Sequence, residues 1–241
     1  MEAIRTENLT KKYKELTAVD SLTLSVQEGE LFSLLGVNGA GKTTTIKMLS
    51  CLTRPTSGDA FIFGNSVKNT ENEVKKIIAV SPQESAYAPN LTVRENLQMI
   101  AEIFGFSRRD AVQKAVSLME AFALTNKANT AAKKLSGGYQ RRLSIAMALI
   151  SEPRVLFLDE PTLGLDVIAR QELWDVIQEL KSRMTIILTT HYMEEAEALS
   201  DRIGVMKDGK LLYIGTTADI CRRTGTDSLE KAFVALVKET K

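Results

Sequence analysis

The segment Gly36-Val37-Asn38-Gly39-Ala40-Gly41-Lys42-Thr43 constrains this chain more than any other. It fits the pattern G-x-x-x-x-G-K-[ST]. It follows the apolar run Leu31-Phe32-Ser33-Leu34-Leu35 and precedes a helical pattern that begins near Thr43, with Ile46 and Leu49 on one face. Strand, glycine-rich turn and helix in that order make a phosphate cradle. Glycines let the backbone wrap closely around a polyphosphate, and the amides of the turn and of the helix N-terminus supply partial positive charge. Gly36, Asn38, Gly39, Ala40, Gly41, Lys42, Thr43 and Thr44 are the expected binding residues. Lys42 brings a full charge for the β- and γ-phosphates, and the Thr43 hydroxyl is a ligand for Mg²⁺.

Such a loop says nucleotide binding and no more. A second buried strand narrows the chemistry. Val155-Leu156-Phe157-Leu158 is an apolar run ending in Asp159-Glu160. Residues that follow a buried strand of an open α/β sheet emerge at its carboxyl edge, where ligands bind. Asp159 is placed to hold Mg²⁺ through water, and Glu160 to act on the attacking water as general base.

Alternating strand-like and helix-like segments argue for an α/β fold with a largely parallel sheet. Ile4 to Val26 reads as short strands broken by polar turns. Thr92-Val93-Arg94-Glu95 is a capping-box pattern before Leu97, Ile100, Ala101 and Phe104, and Gly105 closes that helix. From there to about Ser151 the pattern is helical, an insertion between two parts of one sheet. Beyond the second strand come a helix with Leu173, Trp174, Ile177 and Leu180 on its apolar face, a β-rich run Thr185 to Thr190, and a hairpin around Lys207-Asp208-Gly209-Lys210. Ser228 to Val237 reads as a terminal amphipathic helix. Trp174 reads as plain core.

Composition excludes little. The 241 residues suit one large domain, and 31 Lys plus Arg against 30 Asp plus Glu leave a net charge of +1 that points to no nucleic-acid partner. Cys51 and Cys221 match no metal-ligand spacing and read as two buried thiols. The first residues carry no apolar leader, and no apolar stretch reaches the roughly 20 residues that span a bilayer.

Leu135-Ser136-Gly137-Gly138-Tyr139-Gln140-Arg141-Arg142 resembles the signature of the ABC ATPases, with Tyr139 at the usual glutamine position. Ser136, Gly137 and Gly138 open a helix whose apolar face is Leu143, Ala146, Met147 and Ile150, a second helix N-terminus with bare amides. Further residues follow the family's order. Gln83 resembles the Q-loop glutamine that touches Mg²⁺, Leu163-Gly164-Leu165-Asp166 the D-loop, His191 the switch histidine, and Tyr13 the aromatic that stacks on adenine. The resemblance runs from about Ile4 to Gly215.

It implies a P-loop NTPase (RecA-like) core over about 1–88 and 153–220, a small antiparallel β subdomain, a helical signature-bearing part over about 89–152 and a short tail helix over about 226–241. It implies ATP and Mg²⁺ as ligands, with Glu160, His191, Lys42 and Gln83 as the catalytic set. Asp166, Ser136, Gly137 and Gly138 would serve the nucleotide too, the last three across a head-to-tail pair with a second ATPase subunit. The partner is an integral membrane permease, which places the chain peripherally on the cytoplasmic side of the cell membrane. The Gly164-Leu165-Asp166 and His191-Tyr192-Met193-Glu194-Glu195-Ala196-Glu197 runs resemble the drug- and sodium-exporting branch, although Val167 stands where that branch usually has proline. A soluble ABC ATPase acting on ribosomes or DNA is the competing reading. A GTPase or kinase is disfavoured by the signature and by Glu160.

Overall fold

The computed structural model describes residues 1–84 and 86–239. The last two residues of the expected 226–241 tail lie outside that range. The element order is β1 (Glu2–Tyr13), β2 (Leu16–Leu22), β3 (Ser25–Gln27), β4 (Leu31–Gly36), α1 (Lys42–Leu49), β5 (Ser57–Ile62), β6 (Asn65–Ser66), α2 (Glu71–Ile77) and β7 (Ile78–Ser81). There follow α3 (Val93–Ile103), α4 (Arg108–Ala121), α5 (Gly137–Ala148), β8 (Val155–Asp159), α6 (Val167–Lys181), β9 (Thr185–Thr190), α7 (Met193–Leu199), β10 (Arg202–Lys207), β11 (Lys210–Gly215), α8 (Thr217–Thr224) and α9 (Leu229–Glu239).

Among the described residues the strands form two sheets. The larger runs β11-β10-β4-β9-β8-β7, parallel from β10 to β7, with β11 added antiparallel through the hairpin. The smaller is antiparallel, in the order β2-β1-β5-β6 with β3 on β1. The sequence predicts this class because β4 and β8 are mostly apolar and β9 is rich in β-formers, and every residue in them is buried. Period-two alternation then sorts their side chains onto two faces. Leu156 and Leu158 of β8, with Ile186 and Leu188 of β9, pack with Leu143 and Ile145 of α5 and Leu173 and Ile177 of α6. Val155, Phe157 and Ile187 face the other way, onto Ile46, Met48 and Leu49 of α1 and the antiparallel sheet.

Parallel pairing has one consequence for function. β4, β8 and β9 all end at the same sheet edge, in register, with Leu35 opposite Thr190 and Asp159 opposite Thr189. The glycine loop, the Asp159-Glu160 pair and His191 therefore leave the sheet side by side. In chain order helices α3, α4 and α5 fall between β7, an edge strand of the larger sheet, and its neighbour β8.

The capping box at Thr92 forms as its pattern predicts, with Glu95 N donating to Thr92 Oγ1 and Thr92 N to Glu95. Leu97 and Ala101 are buried, but Phe104 is 57% exposed and Ile103 71%. The stripe is thus narrower than its period suggests. Asp208 and Gly209, both at positive φ, make the hairpin turn. Helices α2, α7 and α8 and strands β5 to β7 are not marked in the sequence. α2 buries Val74 alone and α8 Ile220 alone, too little for a periodic signal. Both cysteines are free and half-buried, not fully buried as the sequence reading has them.

Candidate active site

Helix α1 begins at Lys42 with Gly41 as its N-cap, and no side chain caps it. Its first amides are left for a ligand, next to the positive end of the helix dipole. Gly41 has φ +101, and a Cβ there would stand 2.5 Å from the Ala18 carbonyl. A side chain at this position would push the loop off strand β2. The loop borders a cleft of about 610 Å³ lined by Tyr13, Asn38, Gly39, Ala40, Gly41, Lys42, Thr43, Thr44, Gln83, Glu160 and His191. Of the expected residues, these eleven are brought together.

Lys42 lies at the floor of the cleft. Its Nζ donates to the carbonyl of Gly36 at 2.7 Å and stands 3.1 Å from Glu160 Oε1. The other oxygen, Glu160 Oε2, is 2.5 Å from His191 Nδ1. Glu160 holds a left-handed backbone, φ +49, which a β-strand exit does not need and which costs energy. Its amide, held by the Thr189 hydroxyl at 3.1 Å, fixes that conformation. The kink turns the carboxylate back over the sheet edge, between the lysine and the histidine.

Thr43 Oγ1 donates to Asp159 Oδ1 at 3.1 Å, and Thr189 Oγ1 donates to the same oxygen at 2.5 Å. A hydroxyl and a carboxylate in contact, with the Gln83 side chain on the same cleft, form an all-oxygen donor set. That set fits Mg²⁺, which takes one or two protein oxygens and completes its shell from phosphate and water. Bound there, the ion would neutralise charge on the β- and γ-phosphate oxygens.

Other expected residues lie elsewhere in the chain. Ser136 and Gly137 are exposed at the start of α5, Ser136 makes no side-chain capping bond, and Gly138 faces Ala169 of α6. Gly137 lines a separate recess with Gln83, Glu160 and Leu165. The Asp166 carboxylate caps α6, accepting from Ala169 N at 2.9 Å. None of these borders the phosphate cleft of its own chain.

Sequence reasoning missed several residues. Leu16, Thr17 and Ala18 at the start of β2 and Asp208 in the β10–β11 turn complete the cleft wall with Leu163 of the D-loop-like run; only folding brings β2 and that turn there. Arg141, next to the glycine pair, is buried and donates to the carbonyls of Pro82, Gln83 and Asp159. Burial pulls its guanidinium down to about 10, against the pull of Asp159 and Glu195, so it stays cationic at neutral pH. The sequence holds it only as part of the Tyr139-Gln140-Arg141-Arg142 run, where nothing local marks the arginine as buried. Trp174 is not plain core. It is half-buried, and its Nε1 donates to Glu195 Oε1 at 3.2 Å.

Comparison with known proteins decides the family. A family model described as ABC transporter matches residues 19–163. The chain belongs to the ABC transporter family, as an ATP-binding subunit. It is 38% identical over 237 residues to the linearmycin resistance ATP-binding protein LnrL of Bacillus subtilis, covering 98% of this chain and 76% of that one. It is 40% identical to the daunorubicin/doxorubicin resistance ATP-binding protein DrrA of Streptomyces peucetius, over 94% of this chain and 69% of the relative. Against the human phospholipid-transporting ATPase ABCA3 the identity is 41%, but the chain spans 13% of that protein. A solved ATP-binding subunit of an ABC transporter superposes with TM-score 0.85 at 29% identity, over 98% of this chain and 99% of that one. A dimeric ATP-binding cassette in a post-hydrolysis state with ADP and Pi superposes at 0.80 and 28%, over 88% and 98%. The P-loop NTPase core with its mixed sheets and helical part is the fold of this family.

Proposed function

We propose that this chain hydrolyses ATP to drive export through a separate integral membrane permease, working as a pair with a second ATPase subunit. The observation that carries the reading is the position of Glu160. One buried carboxylate contacts both the phosphate-loop lysine and His191, at the edge where the Mg²⁺-ligand candidates Thr43 and Asp159 meet. A carboxylate so placed can accept the proton of an attacking water, while Lys42 and the helix amides hold the phosphates and His191 orients Glu160 and the γ-phosphate. Tyr13, half-exposed at the cleft mouth, offers a ring for adenine.

Pairing is supported by the incomplete site. The exposed N-terminus of α5 at Ser136, with Gly137 and Gly138, can close on the phosphate loop of a second copy or of a close relative. In that role it does the charge-stabilising work of an arginine finger. The exposed Leu163, Val167 and Ile168 beside Asp166 suit burial in the same contact. Export is favoured by the resemblance to the drug- and sodium-exporting branch and by the resistance named for two relatives. A permease contact is supported by an apolar groove of about 230 Å³ between β7 and α5, walled by Ile78, Val80, Ile100, Phe104 and Met147. Arg141 ties the groove's α5 wall to the Gln83 loop, so movement of one would be felt at the other. Among the described residues no helix is long and apolar enough to cross a membrane, so a separate spanning subunit is required by this reading. The core over 1–88 and 153–220, the helical part over 89–152 and the tail would act as its moving pieces, on the cytoplasmic side of the membrane.

The test is co-purification from gently solubilised native membranes. A polytopic membrane protein in stoichiometric amount, with ATPase activity in the complex, is the expected result. Recovery with ribosomes or soluble partners alone would move the chain to the non-transport ATPases.

A further inference from the structure

Glu195 is fully buried on α7, four residues beyond His191, and no step described above uses it. No ion pair reaches it among the described residues. Its Oε1 accepts from Trp174 Nε1 of α6 at 3.2 Å. The hydroxyls of Thr190 and Thr162 face the carboxyl closely enough to favour its charge, but Oε2 and Thr162 Oγ1, both buried, lack a hydrogen bond of good geometry. Of the charged groups near it, Glu160 repels its charge and Arg141 feels it without pairing, while Arg170 lies over the Trp174 ring and pairs with Glu194 instead. Burial, first, and Glu160 push its pKa above the ordinary carboxyl range. A buried carboxylate with no cation beside it is costly, and the usual relief is to take a proton.

The neighbours of this carboxyl bracket the catalytic contact. Thr190 precedes His191, and its hydroxyl also accepts from Tyr192 N at 2.9 Å, which sets the turn carrying the histidine. Thr162 follows Glu160 by two residues in the turn after β8. Trp174 belongs to the next helix. We infer that Glu195 is a positioning residue in the form of a neutral acid, tying Trp174, Thr190 and Thr162 together and so holding His191 and Glu160 in contact. A proton on Oε2 gives that oxygen something to donate to the Thr162 hydroxyl, and both lone atoms are then satisfied.

The inference rests on the ATPase reading only for its kinetic arm, so two independent measurements test it. The chain has one tryptophan, which makes its fluorescence a direct report on Glu195. Emission of the wild type and of Glu195→Gln should coincide between about pH 6 and pH 8, because an amide imitates a neutral acid. A transition in that window present in the wild type and missing in Glu195→Gln would overturn the neutral form, whatever the turnover. In the kinetic arm Glu195→Leu should lower kcat by about tenfold or more with little change in KM for ATP, and Gln should restore most of it. Thr162→Val should lower kcat severalfold even if the leucine variant does not fold. Gln as damaging as Leu, or full turnover in Thr162→Val, would remove the positioning role. An inactive wild type would count against the ATPase reading, and the fluorescence arm would still decide the state of Glu195.

Discussion

Lys42 Nζ stands 3.1 Å from Glu160 Oε1, with the two side chains 5% and 7% exposed. A buried pair of this kind is worth little net when intact and costs much when halved. The two halves are not equivalent, because they serve different steps. Lys42→Ala should weaken ATP binding by at least about tenfold, since a full charge on the phosphates is lost, and should also lower stability by leaving Glu160 with His191 alone. Glu160→Gln keeps the shape and should leave binding intact, while turnover falls by about 100-fold or more. Calorimetric titration with ATP and a turnover assay separate the two. Unchanged affinity in the alanine variant, or fast turnover in the glutamine variant, would remove the assigned role.

Arg141 is buried outside the phosphate cleft. Three backbone carbonyls, of Pro82, Gln83 and Asp159, share one buried guanidinium, two at 3.4 and 2.8 Å and the third shorter still. Arg141→Met fills the space but strands those carbonyls, and should cost about 3 kcal/mol in chemical denaturation. Turnover should fall further than stability alone explains, because the Gln83 loop loses its tie to α5. Arg141→Lys should recover only part, since an ammonium cannot reach three acceptors in one plane. A methionine variant as stable as the wild type would show that water replaces the arginine.

The parts legible in the sequence are those whose signal is local. The strand–loop–helix around Lys42, the apolar runs in β4 and β8, the β-rich run of β9, the Thr92–Glu95 capping box and the Asp208-Gly209 turn are each written in a few adjacent residues. What was not legible depends on distant chain segments. Thr189 reads as one more β-former, and only the pairing of β8 with β9 puts its hydroxyl on Asp159 Oδ1. Trp174 has helical spacing with Leu173 and Ile177, so it reads as core until α7 brings Glu195 beneath its Nε1. Phe104 falls on the apolar period of α3 yet stays exposed, because periodicity cannot say where the core ends.

Cys51 gives a pH test of the segment behind the phosphate loop. Burial, against a weaker opposing pull from Lys75, pushes its thiol up to about 11. The thiol form is favoured in the fold, and the reactive thiolate is scarce below that pH. Alkylation of Cys51 near pH 8 should be roughly a hundredfold slower than that of an ordinary thiol, and should speed up about tenfold per pH unit until the pKa is passed. Unfolding in urea should abolish the lag. Peptide mass spectrometry after timed iodoacetamide treatment reads it, and equal rates for folded and unfolded chain would show that the α1 end is open to water.

Ser136 is exposed and its hydroxyl caps nothing in its own helix. A substitution there has no internal bond to break, so Ser136→Arg should leave folding and ATP binding to the single chain unchanged. In a head-to-tail pair the same residue would face the phosphates of the other chain. A large side chain would then block the approach of the α5 amides, and the N-terminal dipole could no longer act on the γ-phosphate. Sizing by light scattering in the Glu160→Gln background, where ATP is held without turnover, makes the comparison clean. ATP should convert the Glu160→Gln chain from monomer to dimer and should fail to do so once Ser136→Arg is added. Persistence of the dimer in the double variant would mean that pairing uses another face, and the exposed Gly137 would then need a different explanation.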